Sequence, residues 1–265
     1  MNFDSLKEKF SKHPLIFKGL KEFLENKEVE KAINIDGVKG ASIAFLLGEL
    51  WKLDKSQSYV IVVDDFEQAS YLQNDLSVYL ASKEVYLFPS SFKQKNSYEA
   101  VNSSHILLRT ETLEHISKSQ TGLSFIITYP EALFEKVADP KSLAPKSIQA
   151  QVGIDLDVEM TLNKLVDLGF KREDFVYEPG QFSMRGDILD IYSFGNEYPY
   201  RLELFGNEVD SIRIFDPESQ LSKRRVSAIS ILPNIEQVFQ SEEKVSFLDL
   251  FNDDTVFVLD RKSVV

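Results

Sequence analysis

The stretch Tyr177-Glu178-Pro179-Gly180-Gln181-Phe182-Ser183-Met184-Arg185-Gly186-Asp187-Ile188-Leu189-Asp190-Ile191-Tyr192, continued by Tyr200-Arg201-Leu202-Glu203-Leu204-Phe205, decides how the second half of this 265-residue chain folds. Its last six residues alternate in the period of two that belongs to a strand with one face on a core. Tyr200, Leu202 and Leu204 fall on one face, and Arg201, Glu203 and Phe205 on the other. With the first face packed inward, the second presents an arginine and an aromatic ring, residue types enriched among the few positions that dominate protein interfaces. Arg185 lies on a preceding strand that can pair nearby, and Gly186 reads as a bulge. Asp187 and Asp190 stand at odd spacing, which places them on opposite faces and excludes a shared acid–base role; solvation or pairing with basic neighbours is the better account. The competing account of the polar face is an ordinary mixed-charge surface with Phe205 tucked under a loop.

Working outward, Phe-Gly-Asn-Glu occurs twice, at 194–197 and 205–208, each time between strand-like runs. Gly and Asn tolerate the positive φ angles of tight turns, so both copies read as hairpin loops. Upstream, 157–168 has a helical period. A helix followed by strands separated by turn residues is the order of a small α+β domain with an antiparallel meander. Pro140 and Pro145 punctuate the connection at 138–147, where a domain boundary is expected.

Before that boundary, apolar runs of strand length at 32–35, 59–63, 85–88 and 124–128 alternate with helical patterns, the signature of βαβ units around a parallel sheet. Asp64 or Asp65 can cap a helix carrying Phe66, Ala69, Leu72, Leu76 and Leu80 on one face. Residues 1–30 read as two short amphipathic helices separated by Pro14. After Pro233 the chain reaches a turn at 252–254 and a last apolar strand at 256–259. Its apolar end, Val264-Val265, is expected of a chain that continues further. The expected division is therefore 1–146, 147–232 and a return segment 233–265 that completes the first domain.

A net charge of −12 argues against a protein whose main task is gripping nucleic acid, which needs a basic surface to displace counterions. Lysines and arginines are interspersed with acids, as in Lys171-Arg172-Glu173-Asp174. The absence of cysteine excludes disulfides, thiolate metal sites and a cysteine nucleophile, and the three histidines leave little for metal or imidazole chemistry. No apolar run approaches the roughly 20 residues of a membrane span, and the charged start lacks the apolar core of a signal peptide. A cytoplasmic, non-catalytic chain without cofactor or metal is the expectation.

The first domain also lacks something its architecture leads one to look for. A nucleotide-binding sheet of this type carries Gly-x-x-x-x-Gly-Lys-Ser/Thr after its first strand. Here the turn reads Asp36-Gly37-Val38-Lys39-Gly40-Ala41-Ser42, too short and with the lysine before its second glycine. It reads as a tight connection from strand to helix.

The run from Tyr177 to Tyr192, with Pro199 to Phe205 and Glu208-Val209-Asp210-Ser211-Ile212-Arg213-Ile214-Phe215-Asp216, resembles the domain shared by UvrB and the bacterial transcription-repair coupling factors. Weaker matches at Phe88-Pro89, Tyr98-Glu99 and Thr128-Tyr129-Pro130-Glu131-Ala132-Leu133 extend the resemblance over most of the chain. The degenerate turn and the short connection between Phe92 and Arg109 set it closer to the coupling factors than to UvrB, which keeps a full phosphate-binding loop and a long DNA-clamping hairpin. The resemblance implies an α/β fold: a degenerate P-loop-type, UvrB-like parallel-sheet domain followed by a small α+β domain with an antiparallel sheet. It implies UvrA as partner, engaged through Arg185, Arg201 and Phe205, with the guanidinium groups available for bidentate bonds to partner carboxylates and the ring for an apolar pocket. It further implies that in the complete protein a masking domain covers this surface, and that RNA polymerase and DNA are handled beyond residue 265. A nucleotide-dependent, DNA-handling fragment like UvrB is the alternative.

Overall fold

The computed structural model describes residues 3–13, 35–53, 58–81, 84–91, 103–118, 125–235, 244–253 and 255–260. They form two compact units, each assembled from separate stretches: the described parts of Met1–Leu87, Ser119–Pro130 and Phe251–Val265 in one, of Phe88–Lys118 and Glu131–Leu250 in the other. The division expected from the sequence, 147–232 between 1–146 and a returning 233–265, also lets the chain re-enter its first domain, but the second unit here takes in the described parts of 88–118, 131–146 and 233–250 as well.

In the first unit, helix α1 (Phe3–Ser11) and helix α2 (Ser42–Leu53) precede strand β1 (Tyr59–Val62), helix α3 (Phe66–Leu80), strand β2 (Val85–Leu87) and strand β3 (Phe125–Thr128). The late strand Val256–Leu259 pairs in parallel with β1, β1 with β3, and β3 with β2, so a four-stranded parallel sheet runs in the order Val256–Leu259, β1, β3, β2. All eight residues of β1 and β3 are buried, which explains their unbroken apolar character: both faces of a parallel sheet are covered. Asp65 caps α3 by accepting the Gln68 amide at 2.9 Å. Where α2 meets α3, Gly48 lies under Tyr79 so closely that a Cβ there would fall 2.2 Å from the ring. Burial raises the Tyr79 phenol well above its ordinary pKa, and its hydrogen bond to Glu49 raises it further. The strand expected at 32–35 and the helix expected after Pro14 lie outside the described residues, Ile35 excepted.

The second unit contains helix α4 (Ser103–Lys118), strands β4 (Lys136–Ala138) and β5 (Ile148–Gln151), and helix α5 (Val158–Asp167). Strands β6 (Lys171–Arg172), β7 (Gln181–Arg185), β8 (Ile188–Ile191), β9 (Tyr200–Phe205), β10 (Glu208–Phe215) and β11 (Ser222–Val226) lie side by side in chain order as a six-stranded sheet. The meander is antiparallel except at its start, where residues 173–180 double back and set β7 parallel to β6. Strand β12 (Ala228–Ile231) pairs with β5, and strand β13 (Lys244–Ser246) with β4, both antiparallel. Phe182, Leu189, Ile191, Leu202, Val209 and Ile212 are almost wholly buried. The turn 205–208 is the expected hairpin, with Gly206 at φ 63°. The other copy of the tetrapeptide lies in the longer connection between the antiparallel strands β8 and β9. Gly186 is not a bulge: at φ 59° it turns the chain tightly between β7 and β8, where Arg185 faces Ile188. The irregularities of register fall instead between Val209 and Ser211 and between Ile214 and Phe215.

A buried ion pair ties the Phe88–Lys118 stretch into this unit. Arg109 on α4, 1% exposed, meets Glu135 at 3.0 Å and donates to the Pro89 carbonyl at 2.8 Å. The Glu135 carboxylate also accepts Ser90 Oγ at 2.6 Å and the Ser91 amide at 3.0 Å. The guanidinium lies over Phe88, which stacks on Phe247 at 4.1 Å. Each charge is satisfied by several hydrogen bonds, the condition under which such a pair can stay in an interior. Glu135→Ala leaves a buried guanidinium without its counter-charge, and a loss of about 3–5 kcal/mol is expected in urea denaturation; an unchanged midpoint would mean that the pair is idle.

Candidate partner-binding face

The three residues singled out from the sequence lie on one face of the six-stranded sheet, and a fourth organises two of them. Strand register sets Ser183, Asp190, Arg201, Arg213 and Arg225 side by side across β7 to β11. Two residues along, on the same face, come Arg185, Ile188, Glu203 and Ser211, and then Phe205 at the end of β9. The opposite face carries Tyr200, Leu202 and Leu204 and packs inward, as the period of two predicts.

Asp190 has no solvent exposure. Its Oδ1 accepts Arg201 Nε at 2.7 Å, and its Oδ2 accepts Arg201 Nη2 at 2.8 Å and Arg185 Nη2 at 2.7 Å. The bidentate fork of Arg201, expected to take an external carboxylate, is therefore filled from within by Asp190. This pairing also settles Asp190 as a partner of basic neighbours. Asp187, expected on the opposite strand face, lies in the hairpin turn, because the strand begins only at Ile188.

Both arginines reach beyond Asp190 to loops that fold over the sheet. Arg185 donates to the Asp174 carbonyl and covers the Phe175 ring at 4.5 Å. Arg201 donates to the carbonyl and side-chain oxygen of Gln220 at 3.2 and 3.3 Å and lies over Phe215 at 4.3 Å. Its hydrogen bonds to Asp190 raise the guanidinium pKa above its ordinary value. Gln220, held at φ 59°, passes its amide to the carbonyls of Val176 and Pro217 at 3.2 and 2.7 Å. Under these loops Val176, Tyr192 and Phe215 form a small buried cluster, and burial raises the Tyr192 phenol pKa. Arg201 is consequently 17% exposed and Arg185 36%, whereas Phe205, on the open hairpin, is 83% exposed. The loops had no readable sequence signal: Gln220 at positive φ and the carbonyls of Asp174 and Val176 are tertiary partners without a motif.

The 216–221 loop has its own lock. Asp216 accepts the Ser219 amide at 3.0 Å and pairs with Lys223 at 3.2 Å, and together these pull its carboxyl from 3.8 to about 2. Elsewhere, the turn that stands where a phosphate loop would be has Gly37 and Gly40 at positive φ, and Ser42 Oγ is engaged with the Lys39 backbone at 2.7 and 2.9 Å. Among the described residues, no three His, Asp or Glu side chains converge as metal ligands would, and no helix is long and apolar enough to cross a membrane.

Comparison with known proteins matches residues 148–236 to the UvrB interaction domain family. The chain is 34% identical over 190 residues to a transcription-repair-coupling factor of Bacillus subtilis, covering 71% of this chain and 16% of that protein. It is 33% identical over 224 residues to that of Staphylococcus haemolyticus, covering 81% and 19%, and 32% identical over 214 residues to that of Staphylococcus epidermidis, covering 80% and 18%. The matched part is thus less than a fifth of the length of these relatives.

Two expectations follow from the geometry. Arg201→Ala strips the buried Asp190 of its bidentate partner and should cost about 3 kcal/mol. Arg185→Ala should cost less, and Phe205→Ala, at an exposed position, about 0.5 kcal/mol or less; equal losses for all three in urea denaturation would contradict the shared-carboxylate arrangement. Because the folded Asp216 carboxyl titrates below its unfolded value, its contribution is present above about pH 4 and lost as pH falls toward about 2. Protection of the Ser219 amide, referred to an unstructured peptide at the same pH, should fall across that window, and unchanged protection would count against the lock.

Proposed function

We propose, from the premise that this chain belongs to the transcription-repair coupling factor family through the UvrB interaction domain at 148–236, that it is a non-catalytic module that binds UvrA and so recruits nucleotide excision repair to a stalled RNA polymerase. One observation carries the partner-binding role: Phe205, a large aromatic side chain, stands 83% exposed beside a hairpin turn, opposite Glu208, on the sheet face that also carries Arg185 and Arg201. A ring held in water serves no fold, and a rigid aromatic anchor is what a partner's apolar pocket takes up. Arg185 and Arg201 belong to the same face, and their resemblance to the family's partner-contacting positions supports the same reading.

No catalytic role is assigned. Asp190 has both carboxylate oxygens occupied by guanidinium donors, so it is not available there as a base. Polymerase and DNA engagement, and any intramolecular mask, belong in this reading to the remainder of a longer protein.

The test is a titration of purified UvrA against the chain. Saturable binding is expected, and Phe205→Ala should weaken it by about 10- to 30-fold, the loss of about 2 kcal/mol typical of a buried aromatic anchor. The folded fraction should stay unchanged by circular dichroism. A triple alanine variant including Arg201 would be a poor instrument, because it also unfastens Asp190. Absence of UvrA binding by the unaltered chain would refute the assignment.

A further inference from the structure

We infer that the outer edge of β11, Ser222–Val226, is a strand-addition site for an extended, acidic segment of a partner protein. This is a docking site apart from Phe205, and it does not rest on the reading above. Through Ile214, strand pairing sets β11 level with Tyr200 at the start of β9, whereas Phe205 stands at the other end of that strand.

The case begins with the backbone. β11 is the last strand on its side of the six-stranded sheet and pairs with β10 alone. In an antiparallel ladder about half of an edge strand's N–H and C=O groups point away from its neighbour. Among the described residues, the backbone of 222–226 has no hydrogen bond to anything but β10. Such a row of unpaired donors and acceptors is a template for one more strand. The first part of β10 has no such opening on this side. There residues 153–156 take the place of β11, with the Gly153 amide donating to the Val209 carbonyl at 2.8 Å and the Leu156 amide to the Asn207 carbonyl at 2.7 Å.

The side chains along this edge select what can pair with it. Ser222, Lys223, Arg224 and Arg225 are all exposed, so the strand carries consecutive cations and no acid. Lys223, at the shift of register, is held by Asp216 at 3.2 Å and lies over the Tyr198 ring at 3.6 Å. Arg225 lies opposite Arg213 and Arg224 opposite Ile214, so the two arginines point to opposite faces. Among the described residues neither guanidinium has a hydrogen bond or an ion pair. The acids nearby are matched or displaced from the edge. Glu203 is held by Arg213 and Glu114 by Lys118, and Glu208 and Asp210 lie on the part of β10 that β11 does not reach. Glu197 and Glu218 are exposed, in loops outside the strand.

An added strand would set its side chains directly opposite those of β11, at about 5 Å, so the strand positions decide its charge more than the loops do. Acids opposite Arg224 and Arg225 convert two unmatched cations into cross-strand pairs, one on each face. A second copy offering its own β11 would bring cations against cations, a like-charge contact that destabilises pairing. The basic edge therefore keeps copies of the chain apart while remaining open to an acidic segment. Nucleic acid also carries negative charge, but its phosphates only accept hydrogen bonds and leave the carbonyls of the edge unpaired, and the net charge of −12 opposes a polyanion.

The experiment titrates the unaltered chain with a capped peptide of about six residues, the length of a typical strand, carrying a run of glutamates flanked by valines. Saturable binding is expected, with slower amide exchange within 222–226. The same peptide methylated on its backbone nitrogens lacks the donors and should bind about tenfold more weakly or not at all. Arg224→Glu/Arg225→Glu, altered only at exposed positions, should keep its melting profile, lose about tenfold in affinity for the glutamate peptide, and prefer a version with lysines in place of the glutamates. Phe205→Ala should leave peptide binding unchanged, which separates this site from the one proposed for UvrA. No binding of the glutamate peptide by the unaltered chain would overturn the inference, and so would equal binding of the methylated peptide, which would reduce the contact to charge alone. Capture of a single-stranded oligonucleotide through the same two arginines, with the peptide unbound, would assign the edge to phosphates and overturn it as well.

Discussion

The second unit is organised around one carboxylate that water does not reach. A charged Asp190 at zero exposure is tolerable only because three short hydrogen bonds from two guanidinium groups surround it. That requirement propagates through the sheet. Sliding β8 by one residue against β7 or β9 would turn Asp190 toward Leu189's side of the sheet, among Phe182, Leu202 and Ile212, with no cation to meet it. The buried ion therefore fixes the pairing of three strands in a way that their apolar residues alone would enforce less strictly. The same register puts Arg201 opposite Arg213 and Arg213 opposite Arg225, like charges at direct cross-strand positions that ordinarily repel. Asp190 and Glu203, the latter 3.0 Å from Arg213, offset that repulsion for the first two.

From this carboxylate the order extends outward in layers. The arginines that satisfy Asp190 have donors left over, and those reach the carbonyls of residues 174 and 220, so the loops inherit their positions from the sheet. Gln220 pays the strain of a left-handed backbone at φ 59°, which costs a non-glycine residue on the order of 1 kcal/mol. Its compensation is four hydrogen bonds: two accepted from Arg201 and two donated, to Val176 and Pro217. Residue 220 is a hinge between the charge cluster and the loop cluster, and Val176, Tyr192 and Phe215 fill the space that the loops enclose.

How far this was legible in the sequence depends on the range of each interaction. The alternation at 200–205 located a strand and both its faces, and Asp65, the 205–208 turn and the 158–167 helix were readable from their own few residues. Strands β4 and β5 were not: each is three or four residues long and pairs with a segment roughly 80 to 110 positions away, so neither period nor turn chemistry announces it. The Arg109–Glu135 pair was hidden for the same reason, since nothing local marks either residue as buried. Gly186 was misassigned because a glycine after a strand signals either a bulge or a tight turn, and only the pairing of Arg185 with Ile188 separates them. At the face itself, the sequence identified which side chains point the same way. That Arg201 would be covered by a loop depended on Gln220, whose conformation no motif foretells.

Average charge and local charge lead to opposite conclusions about this chain, and the distinction bears on what it can recognise. A net charge of −12 sets the long-range field, which discourages nucleic acid at distances of a Debye length, about 8–10 Å at ordinary salt. Within that distance the field belongs to the nearest groups, and on the polar face these are of both signs: Arg185 and Arg201 around Asp190, and Glu203 and Glu208 beside Phe205. Such a surface selects a partner by the match of opposite charges once the two are close, and the bulk charge gives no long-range pull toward anionic surfaces. Association governed this way depends on fit, and its strength lies in slow dissociation from an ordered apolar contact. The rigidity conferred by Asp190 and the two arginines then matters directly, because loops already fixed in place lose less entropy on binding than loops that must be ordered by the partner.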